Sequence, residues 1–434
     1  MKIAYLAAGA AGMICGSCLR DNRLAATLLG KGRDVVLIPL YTPLTTDETD
    51  VSKAPIYYGG INVYLEQRFP LFRHFPSWLF RLLDTPALLR RVMRFSANVG
   101  PADLGALTVS VLRGEHGAQQ LELTKLIRGL GKLQPDLVHL PNLPFVGVAR
   151  ELKRSLGAKI FCTLSGEDIF LDELEEPYRT QSFDLIQERS EDIDAFVATS
   201  NYYADHAIKH FHLPQDRVHV VPMGIHVDDF ADGVEPPTDP FTISYLARIC
   251  PAKGLSNLCD ALVKLRAEGR NCRVRAAGYL SRTDRPYLAE IEKQFAQQDA
   301  AHAFEYLGEI DRAGKISLLQ SSHVLSVPTV YHEAKGLYVL EALAAGVPVV
   351  QPRHGSFPEL IEATGGGLLY DPLQTSDATG LADAIAQLMD DPDRRRRMGR
   401  AGQAAVRQHF NDEVMADRTW ALYEKACSDN TNAQ

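Results

Sequence analysis

The stretch 331–350, "YHEAKGLYVLEALAAGVPVV", decides how this chain folds. Its polar start holds Glu333 and Lys335. Gly336 opens a helix-forming run, and Gly346-Val347-Pro348 ends that run just before a short apolar strand. Loop, helix and buried strand in that order are one step of an alternating α/β pattern. Glu333 then lies on the loop, and Glu341 lies in the second helical turn, about 9–12 Å further along the axis at about 1.5 Å per residue. With the helix beginning near Lys335, the backbone N–H groups of Lys335, Gly336 and Leu337 stand at the positive end of its dipole. That is a site for an anion.

The same alternation runs outward in both directions. Before it, "KIAYLAAG" (2–9), "DVVLIPLY" (34–41), "INVYLEQ" (61–67), "DLVHLPN" (136–142), "KIFCTLSG" (159–166), "AFVATSN" (195–201) and "VHVVPMG" (218–224) read as strands. They are apolar nearly throughout, as strands covered on both faces are. Helical patterns, such as 119–133 and 202–211, lie between most of them. The acidic, proline-rich "DDFADGVEPPTDPF" (228–241) has no periodicity and reads as a linker. A second series follows at 242–247, 273–280, 303–308, 323–329, 347–352 and 366–372. The expected fold is α/β, with two doubly wound Rossmann-like domains facing a central cleft and a ligand at the strand C-terminal ends. The boundaries expected are 1–227, a linker at 228–240, 241–410, and a helix at 411–434 packing back on the first domain. "DDPDRRRRMG" (390–399) reads as a helix junction with a solvated face.

Composition narrows the function classes. At 434 residues two to three domains are expected. The formal net charge of −8 offers no basic footprint for nucleic acid. No apolar run is long enough to span a bilayer. The N-terminus superficially resembles a signal peptide, but the charged "CLRDNRLAATLLGKGRD" continues it as loop and helix, so a cytoplasmic protein is expected. Seven scattered cysteines fit reduced thiols rather than a disulfide framework. An arginine- and aromatic-rich excursion (68–95, within an insertion at about 68–118) reads as a packed helical excursion or a lid over the acceptor. A membrane-surface helix is the less favoured reading, because Pro76 and Pro86 interrupt it.

Two further segments carry chemistry. In "LARICPAKGL" (246–255), Arg248 leaves the end of a strand and Lys253 precedes a helix; two cations there would neutralise a diphosphate leaving group. "GAAGMICGSCLRDN" (9–22) holds Cys15-x-x-Cys18 among Gly9, Gly12 and Gly16. A redox dithiol would need the rest of a thioredoxin-like unit, a zinc knuckle a second ligand pair, and a dinucleotide fingerprint G-x-G-x-x-G. The stretch therefore reads as a small-residue strand-to-helix turn that lets backbone donors approach phosphates. Arg20, Asp21 and Asn22 fall on the following helix, where one could face the cleft. Asp192-Ile193-Asp194 precedes a strand and reads as a helix terminus rather than a metal signature. His206 and His210 read as a surface pair without a third ligand.

Glu333-x7-Glu341 with Gly336, the Arg248…Lys253-Gly254 pair, "GSFPELI" (355–361) and "GGGLLYDP" (365–372) together resemble family 4 retaining glycosyltransferases of the GT-B fold. The resemblance spans nearly the whole chain and is strongest from about 195 to 372. It implies that Arg248 and Lys253 hold the diphosphate of a nucleotide-sugar. Glu333 would contact the donor sugar, Glu341 the ribose, and the backbone at Lys335, Gly336 and Leu337 the sugar and phosphate. Gly12 and Gly16 would line the N-terminal loop near the diphosphate. It implies retention of anomeric configuration and needs neither metal nor cofactor. "TLSGEDIF" (163–170) departs from the family's His-Gly-x-Asp: Gly166 and Asp168 match, while Ser165 stands in place of the histidine. Ser165, Gly166 and Asp168 are expected on the acceptor side, with Asp168, Glu333, Arg248 and Lys253 as the catalytic candidates. Lys335 either adds charge near the donor or faces solvent. The reaction implied is hexosyl transfer from a nucleotide diphosphate sugar, UDP favoured and GDP second, to a hydroxyl acceptor. A sugar-nucleotide epimerase or phosphorylase on this fold, or a non-catalytic nucleotide-sugar-binding protein, are the alternatives.

Overall fold

The computed structural model describes residues 1–9, 15–53, 56–59, 63, 66–67, 101–231, 236–297, 300–372 and 377–428. Gly12 and the arginine-rich stretch 68–95 lie outside the described residues. The chain divides into two compact units: Met1–Pro222 with Met415–Gln434, and Met223–Val414.

The first unit is built on a parallel sheet of six strands in the order β2-β1-β3-β4-β5-β6. These are β1 (Lys2–Ala7), β2 (Asp34–Pro39), β3 (Leu137–Leu140), β4 (Lys159–Leu164), β5 (Ala195–Ala198) and β6 (Val218–Val220). Their near-continuous apolar runs are buried on both faces, as a helix-covered parallel sheet demands. Met415, Ala416, Trp420 and Tyr423 of the helix Asp412–Ser428 enter this core beside Ile3, Tyr5 and Phe161. Described residues of the 68–118 insertion are tied in as well: Arg189 Nη1 donates to Glu115 Oε1 at 3.0 Å.

The second sheet has the order β12-β11-β10-β7-β8-β9. Its strands are β7 (Phe241–Leu246), β8 (Cys272–Ala277), β9 (Phe304–Tyr306), β10 (Val324–Leu325), β11 (Val349–Pro352) and β12 (Gly367–Tyr370). Counted from β7, this is the doubly wound dinucleotide-binding order, and the chain reverses direction across the sheet between β7 and β10. The helix Leu337–Ala344 follows β10 and is buried from Tyr338 to Ala344, so its apolar residues are not confined to one stripe.

Two local expectations are corrected. Val63, Glu66 and Gln67, within the expected strand 61–67, are helical. Val63 N–H closes on Gly59 O at 3.0 Å, a helical i→i−4 bond that short alternation did not foretell. Part of the expected linker 228–240 is packed, because Phe230 is buried in the second unit's core and its carbonyl accepts from Arg407 Nη2 at 2.8 Å.

Candidate active site

The second unit gathers its polar side chains where β7 and β10 end, at the switch point of the sheet. Ligands of open α/β sheets bind in that crevice. Past β7, Arg248 is exposed, and its carbonyl accepts from Tyr245 Oη at 2.9 Å. A single 3-10 turn (Pro251–Lys253) and Gly254, at φ +71°, then start the helix Leu255–Ala267. Past β10, the loop 326–336 carries Glu333, and Gly336 at φ +67° caps the helix Leu337–Ala344.

Glu333 is buried in a cage of donors. Lys253 Nζ lies 2.6 Å from its Oε2, and the hydroxyls of Tyr331 and Tyr338 donate to the same oxygen at 3.1 and 3.2 Å. Oε1 receives one longer bond, 3.3 Å from the Lys335 N–H. Lys253 Nζ also stands over the rings of Tyr331 and Tyr338, 4.9 and 5.3 Å from their centroids. Burial alone would raise the Glu333 carboxyl, but the Lys253 ammonium and the charge and N–H of Lys335 bring it down to about 2. Oε2 is thus saturated, while Oε1 keeps acceptor capacity for a further hydroxyl. The loop is held from behind: Ser356 N–H donates to Glu333 O at 2.7 Å, across the tight turn at Gly355.

The helix does not begin near Lys335, as the sequence suggested, but at Leu337. The Lys335 N–H is spent on Glu333, which leaves Gly336 and Leu337 as the backbone donors at the helix mouth. Lys335 is half-buried, and its charge acts on Glu333. Glu341 sits within the helix, buried, and pairs with Lys315 of the helix Arg312–Gln320. Sequence reading missed Lys315, Tyr331 and Tyr338. The two tyrosines flank Glu333 at −2 and +5, but nothing in a single sequence marks a lysine twenty-six residues away as the partner of Glu341.

In the first unit, β4 ends at Leu164; Ser165 follows, and Gly166 at φ +99° turns the chain into the short helix Asp168–Asp172. Ser165 does not stand open: its N–H and hydroxyl donate to the carboxylate of Glu167, at 2.8 Å to Oε2 and 3.1 Å to Oε1. Tyr203 Oη accepts the Glu167 N–H at 2.8 Å and lies 3.1 Å from Glu167 Oε2 and 2.8 Å from Asp168 Oδ1. One phenolic proton therefore serves two carboxylates. His206 Nε2 is 3.3 Å from Asp168 Oδ2, an ion-pair contact without hydrogen-bond alignment. Burial opposes ionisation of Asp168, yet His206 and Tyr203 hold its carboxyl below the ordinary value. His206 and His210 are not a bare surface pair: their rings stack at 4.9 Å, and His210 pairs with Asp172 at 3.1 Å. Among the described residues no group of three or more histidine, cysteine or acidic side chains is placed to hold a metal ion.

Gly16 is the first residue of the helix Gly16–Gly30; Cys15 precedes it, Cys18 is buried, and no disulfide joins them. Arg20 and Asp21 turn inward. Arg20 Nε donates to Asp21 Oδ1 at 3.0 Å, Tyr5 Oη donates to the same oxygen at 3.0 Å, and Arg20 Nη2 reaches Thr163 Oγ1 at 3.3 Å. The chain of contacts runs on through His139, whose Nε2 is 2.9 Å from Thr163 Oγ1 and whose Nδ1 is 2.6 Å from Tyr423 Oη. Asn22 Nδ2 donates to Thr49 O at 2.9 Å. The acids of Asp192-Ile193-Asp194 hold Arg150 and Lys153, at 3.1 and 3.0 Å.

Comparison with known proteins agrees with this architecture. Residues 227–405 match the family described as Glycosyl transferases group 1, and residues 108–229 match Glycosyltransferase Family 4. The chain is 28% identical over 238 residues to MMP alpha-(1->4)-mannosyltransferase of Mycolicibacterium hassiacum, covering 54% of each. It is 30% identical over 222 residues to phosphatidyl-myo-inositol mannosyltransferase of Mycobacterium tuberculosis, covering 49% of this chain and 56% of that one. The chain thus spans about half the length of these curated relatives. Among solved structures, sucrose-phosphate synthase from Thermosynechococcus elongatus superposes with a TM-score of 0.71 at 18% identity, over 99% of this chain and 100% of that one. Anabaena HepE in complex with UDP gives 0.69 at 16% identity, over 98% and 100%. The fold is the two-domain α/β fold of the GT-B class. Residues 227–405 are thus similar to group 1 glycosyltransferases, and residues 108–229 to family 4.

Proposed function

We propose that the protein is a retaining glycosyltransferase that moves a hexosyl unit from a nucleotide diphosphate sugar to a hydroxyl acceptor without a metal ion. The observation that carries this reading is the buried Lys253–Glu333 pair, 2.6 Å apart, at the switch point of the second sheet and beside the mouth of the helix Leu337–Ala344. Arg248 and Lys253 take the charge of the diphosphate, and the N–H groups of Gly336 and Leu337 add to it. Glu333 Oε1 holds a hydroxyl of the donor sugar, and Glu341 the ribose. Asp168, with Ser165 and Gly166 around it, belongs to the acceptor side, and Gly12 and Gly16 to the phosphate-facing loop. The bond from the anomeric carbon to the diphosphate oxygen breaks as the acceptor oxygen bonds to the same face. The acceptor proton passes to the leaving phosphate oxygen.

UDP is the favoured leaving group. A structural relative, HepE, was solved with UDP and with UDP-glucose, and that supports a uridine donor. GDP is the second candidate. A thermal-shift panel of UDP, GDP, ADP and NAD, with EDTA present, tests the reading. A ligand at about 100 times its dissociation constant adds about 2.7 kcal/mol of stability. A shift with one nucleoside diphosphate, unchanged by EDTA, is expected; a shift with NAD alone would overturn the reading.

A further inference from the structure

We infer that Cys15 and Cys18 are a redox modification site: they interconvert between a dithiol and an intramolecular disulfide by exchange with a low-molecular-weight disulfide such as oxidised glutathione. The start of the helix Gly16–Gly30 brings them together. Cys15 is the N-cap and Cys18 the third helical residue, and Leu19 N–H closes on Cys15 O at 2.9 Å, which completes the first turn. Helix geometry puts the two Cα atoms about 5 Å apart. A disulfide spans roughly 4.4–6.8 Å between Cα atoms, so the bond lies within reach of this turn.

The two thiols differ in access. Cys15 is half-buried at the mouth of the helix, whereas Cys18 is 2% exposed in the core of the first unit. The helix N-terminus favours a thiolate at Cys15, and hydrogen bonds received by a sulfur favour its thiolate further. Asp21 is close enough to feel the charge of Cys15, but Arg20 pairs with its carboxylate. Cys15 therefore attacks one sulfur of glutathione disulfide and releases a glutathione thiolate. Cys18 then gives up its proton and attacks the Cys15 sulfur of the mixed disulfide, which releases the second glutathione. Two electrons and two protons pass from the cysteine pair to two glutathiones. The bond lays two sulfurs across the N–H groups of the first turn. It modifies the chain itself, so it asks for no thioredoxin-like unit around it. The other five cysteines have no partner at this spacing; the nearest two, Cys250 and Cys259, are nine positions apart. Burial holds the Cys162 and Cys259 thiols well up and pushes Cys272 to about 11. Cys427, also half-buried, is raised by burial and then by Asp136.

The test is mass spectrometry of the full chain, equilibrated in glutathione buffers of rising oxidised fraction, quenched in acid, alkylated and digested with trypsin. Both cysteines fall on one peptide, residues 3–20. That peptide should pass from doubly alkylated to internally bridged while the other five cysteines stay alkylated, and dithiothreitol should reverse the change. A peptide still doubly alkylated when those five begin to oxidise overturns the inference. Cys18→Ser should trap one glutathione on Cys15, and Cys15→Ser should leave Cys18 unmodified; the opposite pattern overturns the assigned order of attack. The wild-type titration needs no variant, so the inference stays testable if either serine variant does not fold. With Gly16 on the phosphate-facing loop, as proposed above, the bridged protein should bind UDP or GDP more weakly than the reduced one, and equal affinity overturns that consequence. A reduced protein that binds neither nucleotide overturns the donor reading, while the peptide masses still decide the disulfide.

Discussion

Lys253 Nζ and Glu333 Oε2 stand 2.6 Å apart, both largely buried, with two tyrosine hydroxyls on the same carboxylate oxygen. Each charge is expensive to bury alone and tolerable only with the other. In the proposed reaction a nucleotide diphosphate arriving at Lys253 would compete for that cation and so couple the phosphate and the sugar through one pair of residues.

Removing either end of the pair should have different consequences from removing Arg248. Glu333→Ala should lower kcat by about two to three orders of magnitude, the usual scale for a lost electrostatic contact in a transition state, and leave nucleotide binding nearly intact. Arg248→Ala, at an exposed position, should weaken both turnover and nucleotide affinity and change stability by less than about 0.5 kcal/mol. Steady-state kinetics and nucleotide titration of the two variants separate the roles. Normal turnover in Glu333→Ala would show that the donor sugar lies elsewhere. The Glu333 carboxyl is also depressed from 4.5 to about 2, so its stabilisation is present above the unfolded value and is lost as pH falls from 4.5 through 2. Glu333→Gln should flatten that part of an acid-unfolding curve.

Gly355 controls the same carboxylate from behind. It adopts φ +60°, and a Cβ there would meet Glu333 N at 2.5 Å and Glu333 O at 2.6 Å, both backbone atoms. Gly355→Ala should destabilise the protein by about 1–3 kcal/mol and displace Glu333. Thermal unfolding and kcat should fall together, with no side chain of the site removed. Unchanged kcat in a folded Gly355→Ala protein would contradict the need for a fixed Glu333 loop.

Asp168→Asn should raise KM for the hydroxyl acceptor and leave hydrolysis of the donor by water close to normal. The prediction follows from its proposed acceptor-side place at the start of the short helix after β4, where it is held by Tyr203 at 2.8 Å and lies 3.3 Å from His206. Equal losses in transfer and hydrolysis would move Asp168 from the acceptor side to the donor chemistry.

His139 offers a pH test of the first unit. Burial, and then the Arg20 charge, hold its imidazole well below 6.5, so the folded protein keeps it neutral while the unfolded chain protonates it. Its contribution to stability is fully present above pH 6.5 and is lost as pH falls below that value. The slope is about 1.4 kcal/mol per pH unit for one proton. His139→Gln should reduce the slope measured by denaturant titration between pH 6.5 and 5. An unchanged slope would mean that His139 is protonated in the folded state.

The architecture was legible because fully buried parallel strands are apolar throughout and are punctuated by glycine and proline. "RVRAAGYL" and "VPVVQP" read as strands for that reason, and β8 and β11 stand there. "INVYLEQ" misled because three alternating apolar residues fit one edge of a helix as well as a strand. Within the site, Glu333, Lys253 and Gly336 were legible because loop chemistry and helix starts are local. Lys315 was not, since its meaning lies in which helix it faces. Arg20, Asp21 and Asn22 read as helix residues of which one could face the cleft; Arg20 and Asp21 pair with each other inside the first unit, beside Tyr5 and Thr163 from distant strands, which the local sequence does not mark. The capture of Ser165 by Glu167, two residues on, was not legible either, because it depends on the turn at Gly166.

The central claim is tested most directly by NMR of the protein with UDP- and GDP-hexoses in the presence of EDTA, following the anomeric proton and the released nucleotide. The account predicts slow turnover of one donor without metal, a product that keeps the donor's anomeric configuration, and loss of both signals in Glu333→Ala. Turnover that requires a divalent cation, or an inverted product, would contradict it.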